Sequence, residues 1–97
     1  MSPARDEIRV SGEIDISNVS ELEHALALAT ARHDHVTVHV EDVTYMGLEG
    51  ARALLRAAQG LPRRGRLYVT RPSPQLVRVF EILQTSLVPG LVLLPDC

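Results

Sequence analysis

The sequence predicts an α/β fold: one domain in which a small, mostly parallel β-sheet is packed with about three to four helices. Three observations carry that expectation. His35–Glu41 alternates strictly, with Val36, Val38 and Val40 on one face and His35, Thr37, His39 and Glu41 on the other, the pattern of a half-buried strand. Segments with apolar residues at three- and four-residue spacing separate the strand-like segments. Their order, β-α-β-α-β-α-β, supplies a crossover at each step, and such crossovers are right-handed and join parallel strands.

The elements follow in chain order. Glu7–Gly12 (EIRVSG) alternates, with Ile8 and Val10 on one face, and Gly12 ends the strand. Asn18 reads as an N-cap and Glu21, three residues on, completes a capping-box pattern. Val19, Leu22, Leu26 and Ala29 then predict a helix over about 18–31. The His35–Glu41 strand comes next, and Leu48, Ala51, Leu54, Leu55 and Ala58 predict a second helix over about 48–60, closed by Gly60 and Pro62. Arg66–Thr70 is another strand. Ser73 as N-cap and Pro74 at the first helical position open a third helix, about 73–85, whose apolar face is Leu76, Val77, Val79, Phe80 and Leu83. Gly90–Leu94 is a candidate last strand.

Composition excludes several function classes. The chain has 97 residues, 45% apolar, so one folded domain is expected. Residues 1–6 read as a short tail and 7–97 as the domain. Twelve acidic against ten basic residues give a net charge of -2, too balanced for non-specific nucleic-acid binding. All ten basic residues are arginine and they are scattered, a pattern of codon bias rather than of a phosphate site. The one cysteine, Cys97, permits no internal disulfide and fits a reducing compartment. The N-terminus lacks the apolar segment of a secretory signal, and the run Leu91–Leu94 is too short to span a bilayer. The expectation is a cytoplasmic protein with no direct membrane insertion.

Catalytic and cofactor motifs are missing from the sequence. It contains no GxxxxGK[ST], no GxGxxG and no CxxC. His33 and His35 are spaced as HxH without an evident third metal ligand, and His35 and His39 stand ~13 Å apart along a strand at ~3.3 Å per residue, too far to share an ion. Glu41–Asp42 and the Glu13/Asp15 pair read as turn and edge residues rather than an acid/base couple. No enzymatic activity, cofactor or metal is expected. What remains is the strand-to-helix junctions, because parallel sheets meet ligands and partners at the carboxyl ends of their strands. Two segments lie there: Glu13-Ile14-Asp15 and Met46–Gly50.

Taken together these segments resemble the STAS domain, and within it the bacterial anti-sigma factor antagonists. The family's GE(I/L)D stands here as Gly12-Glu13-Ile14-Asp15. Its V-T-(F/Y)-(I/M)-D-S-S-G-L-R-A-L-L corresponds to Val43-Thr44-Tyr45-Met46-Gly47-Leu48-Glu49-Gly50-Ala51-Arg52-Ala53-Leu54-Leu55, and Gly65–Val69 and Pro72–Phe80 match its closing strand and helix. The similarity covers about 7–95.

The resemblance implies a non-catalytic module that binds an anti-sigma, serine-kinase-type or related regulatory protein. Its partner surface would comprise Asp15, Ile16, Ser17, Gly47, Leu48, Glu49, Gly50, Arg52 and Arg56. It also implies that Glu49 stands where relatives carry a phosphorylatable serine, so that phosphorylation cannot act there. Two readings of Glu49 stay open: a permanent, weaker substitute for a phosphate, or a plain first-turn carboxylate. Leu48 is either an exposed contact or a residue tucked under the preceding loop, the second being preferred; Gly47 is expected to supply backbone freedom. The family's first strand reads as shortened or missing, which would leave an open edge and invite a homodimer. The alternative function is an accessory subunit of a membrane lipid-transport ATPase, since STAS-like subunits serve there as well.

Overall fold

The computed structural model describes residues 7–95. It contains strands β1 (Glu7–Ile14), β2 (His35–Met46), β3 (Arg66–Thr70) and β4 (Leu91–Leu94), helices α1 (Val19–Arg32), α2 (Leu48–Gln59) and α3 (Pro74–Ile82), and a 3-10 turn at Thr85–Leu87. The tail expected at residues 1–6, with the question of a shortened first strand, lies outside the described residues. The sheet runs β1-β2-β3-β4 and every pairing is parallel, as the element order predicts. Successive right-handed crossovers in one direction set all three helices on the same face.

That face holds the core. Val36, Val38 and Val40 of β2 and Leu67 and Val69 of β3 are buried against Leu22, Leu26 and Ala29 of α1, Ala51, Ala53, Leu54 and Ala58 of α2, and Leu76 and Phe80 of α3. Each large side chain so buried contributes about 1.5–3 kcal/mol before entropy is counted. The opposite face is polar. His39 Nε2 lies 2.6 Å from Glu7 Oε1 and its Nδ1 3.1 Å from Thr70 Oγ1, while the His35 and Tyr68 rings stack with centroids 6.3 Å apart. Side chains thus cover a face that a second layer of helices covers in most all-parallel sheets.

Strand β2 is longer than the alternation predicts, reaching Met46 rather than Glu41. Its buried positions run 36, 38, 40, 43, 46, so the last two steps are three residues instead of two. The register explains this. Arg9 pairs with His39 and Ser11 with Asp42; Gly12 pairs with Val43 and Glu13 with Tyr45. At each step β2 carries one extra residue, a bulge that turns the next side chain back toward the core. Gly12 meets this distortion with φ +77°, a backbone that disfavours any other residue. Strand β1 likewise runs past Gly12 to Ile14, so Glu13 and Ile14 belong to the strand. Helix α3 ends at Ile82 instead of about 85, because Gln84 takes a left-handed conformation at φ 56°.

Candidate functional site

The exits of β1 and β2 are joined. Gly47 N–H donates to Ile14 O at 3.1 Å, so the two following loops start side by side at the carboxyl end of the sheet. The first loop is tied by polar groups. Asp15 Oδ1 accepts from the Ser17 backbone N–H at 2.9 Å and from the Ser17 hydroxyl at 2.5 Å. These bonds, the hydroxyl foremost, hold the Asp15 carboxyl below its ordinary pKa. Asp15 O accepts from both Asn18 N–H and Val19 N–H.

Asn18 departs from the expected capping box. It stands at the N-cap of α1, but its side chain makes no cap hydrogen bond. Its Oδ1 accepts from Asp15 N–H at 2.9 Å and its amide donates to Glu13 O at 2.8 Å. The amide closes the loop onto the end of β1 instead of capping the helix. Ser73 does cap α3 as predicted, accepting from Leu76 N–H at 3.1 Å.

The second loop is shaped by close packing. Helix α2 enters through Gly47, whose φ of -81° and ψ of -176° are ordinary extended values. Gly47 is therefore not required for backbone freedom, contrary to the expectation. The residue that must be glycine is Gly50: a Cβ there would lie 2.6 Å from Met46 Cγ and 2.9 Å from Ile14 Cγ2. Its absence lets the first turn of α2 sit on both strand ends. Gln75, at the start of α3, secures the same point from the other side. Its amide accepts from Met46 N–H at 3.3 Å and donates to Met46 O at 2.9 Å. The β2–β3 pairing stops at His39–Thr70, so a side-chain amide supplies the partner that β3 no longer provides. No sequence pattern signals this role.

The predicted site residues divide accordingly. Ile16 is 77% exposed, Leu48 40% and Tyr45 47%. Leu48 is thus a surface residue and not one tucked under the loop. Glu49 is exposed in the first turn of α2 and its carboxylate folds back over the helix entrance; a Cβ on Gly47 would lie 3.4 Å from its Oε1 and 3.7 Å from the Tyr45 ring. A negative charge there is favoured by about 0.3–1 kcal/mol through the helix dipole. Ser17 is exposed and Asp15 half-buried beside Ile16. Gly47 and Gly50 are buried, and only Gly50 is needed for the close packing of α2 on the strand ends. Arg52 is exposed one turn after Glu49. Arg56 stands apart, ~10 Å along the helix from Glu49 at ~1.5 Å per residue, paired with Glu23 of α1 at 3.7 Å across the α1–α2 groove. Among the described residues, no group of three or more His, Cys, Asp and Glu side chains is arranged to hold a metal ion. No described helix is long and apolar enough to cross a membrane.

This architecture has known counterparts. The family described as "Mlab, STAS domain" matches residues 1–89. The chain belongs to the STAS-domain family. Two solved structures share the STAS fold with it. The anti-sigma factor antagonist SpoIIAA, in its unphosphorylated form, superposes with a TM-score of 0.75 at 20% identity, over 100% of this chain and 84% of that one. An anti-sigma factor antagonist from Mycobacterium paratuberculosis gives a TM-score of 0.79 at 23% identity, over 93% of this chain and 76% of that one. No curated protein matches the sequence.

Proposed function

We propose that this STAS domain is a non-catalytic protein-binding module of the anti-sigma factor antagonist type, engaging an anti-sigma or kinase-like regulatory partner. One observation carries the reading: Ile16, Tyr45 and Leu48 are exposed on the segments that flank the joined exits of β1 and β2, with Tyr45 and Glu49 both next to Gly47. Several exposed apolar side chains on neighbouring strand-exit segments suit a protein interface. Asp15, Ser17 and Arg52 border them and provide polar contacts at the rim. The solved structures with the same fold carry the antagonist name, which supports the choice of partner class.

Glu49 replaces a phosphoacceptor serine in this reading. A carboxylate cannot accept a phosphoryl group as a serine hydroxyl does, so the charge at the α2 entrance is fixed at one unit, and binding is not toggled by a kinase at this position. The experiment is capture from the native lysate with the wild-type chain, Leu48→Asp and Glu49→Arg. Recovery of a sigma regulator by the wild type and its loss in both variants supports the proposal; equal recovery by all three sinks it. The matching family carries the name Mlab and not that of an antagonist, and this favours one second reading, the accessory subunit of a membrane lipid-transport ATPase. Recovery of an ATPase subunit in place of a sigma regulator would select it.

A further inference from the structure

The two edges of the sheet are built differently. On β1, Glu7, Arg9 and Glu13 are exposed and Gly12 is left-handed, features that discourage pairing with another chain. On β4 such features are lacking: the segment Thr85–Leu94, TSLVPGLVLL, contains no charged residue. Leu67 N–H donates to Gly90 O at 2.7 Å and Arg71 N–H to Leu94 O at 2.9 Å. The alternation of a parallel ladder therefore turns the peptide groups of Leu93 outward. Among the described residues no strand lies beyond β4. A groove of about 410 Å³ runs beside it, lined by Glu81, Gln84, Thr85, Leu91 and Leu93.

Helix α3 reaches this groove through Glu81. Arg78, Glu81 and Ile82 fall at i, i+3 and i+4, and Glu81 lines the groove. Ile82 is 68% exposed. We propose that a second copy of this chain pairs with β4, antiparallel about a two-fold axis normal to the sheet, joining two sheets edge to edge. The axis sets the two α3 helices antiparallel on one side, so that Arg78 of each copy faces Glu81 of the other. That reciprocity of charge selects a second copy over an unrelated strand, since a closed symmetric pair satisfies both contacts at once. The homodimer expected from an open edge thus forms at the uncharged β4 rather than at β1. The joined exits of β1 and β2 stay free in both copies.

Analytical ultracentrifugation of the full chain, over concentrations up to the millimolar range, tests this. The expected result is a concentration-dependent shift from monomer to dimer. Val92→Lys changes a half-buried residue on the helix-free face of β4 and should leave a folded monomer, with an unaltered circular dichroism spectrum. Arg78→Glu and Glu81→Arg should each weaken the dimer by roughly threefold to tenfold, two exposed pairs being lost per dimer. The double exchange should restore it. A monomer at every concentration overturns the proposal, even if an added peptide binds the edge. So does a dimer that survives Val92→Lys, or one dissociated by Arg9→Ala on β1.

Discussion

The two loops that meet at the carboxyl end of the sheet are held by opposite means. Residues 15–18 are tied by side-chain hydrogen bonds from Asp15, Ser17 and Asn18, all within a few residues of one another. Residues 46–50 have no cap hydrogen bond of their own; Gly50 packed on Met46 and Ile14, and Gln75 from α3, fix them. The first loop is a local structure and the second is imposed by the core. A surface made of both has one half that a point mutation can loosen and one half that moves only if the fold is disturbed.

Gly50→Ala should therefore have the largest effect. Met46 is fully buried and cannot withdraw from a Cβ at 2.6 Å, so overpacking should cost about 1–3 kcal/mol, read as a lower urea midpoint with an unchanged slope. Gln75→Leu comes next. It leaves the peptide groups of Met46 unpaired in a partly buried place and should cost about 1–2 kcal/mol, with amide exchange accelerated at Met46 and unaffected at Val38. If exchange quickens throughout the sheet instead, Gln75 is not a local tie. Asn18→Ala should cost about 1 kcal/mol and raise exchange at Asp15 while α2 keeps its protection. Gly47→Ser should be near neutral or stabilising by a few tenths of a kcal/mol, since its backbone is ordinary and a serine adds an N-cap acceptor.

The smallest effect concerns pH. The folded pKa of Asp15 is lowered by the Ser17 bonds, so their stabilisation is present above the ordinary carboxylate value and is lost as pH falls through the folded value. Ser17→Ala should raise the Asp15 pKa toward ordinary, visible in a carbon NMR titration of the carboxyl. An unchanged titration would show that the hydroxyl bond does not form in solution.

The sequence was informative wherever one local rule decided the outcome. Alternation located β2 through Glu41, helical spacing located the three helices, and Ser73-Pro74 marked the start of α3. Alternation failed after Glu41 because two bulges shifted the period, and only the pairing register with β1 reveals them. Asn18 matched a capping pattern but found stronger partners in the loop, a competition between local hydrogen bonds that spacing does not resolve. Gln75 carried no signal, since its role depends on where β3 stops pairing. At the candidate site, the position of Glu49 in the first turn of α2 was readable from helical spacing, while the exposure of Leu48 was not.

The central claim is that a partner docks on Ile16, Tyr45, Leu48 and Glu49. Adding the captured partner, unlabelled, to the nitrogen-15-labelled chain tests it most directly. The account predicts that the amide signals of Ile16, Ser17, Leu48, Glu49 and Arg52 shift or broaden first. Perturbation confined to β4 and α3, with those five signals unmoved, would contradict it.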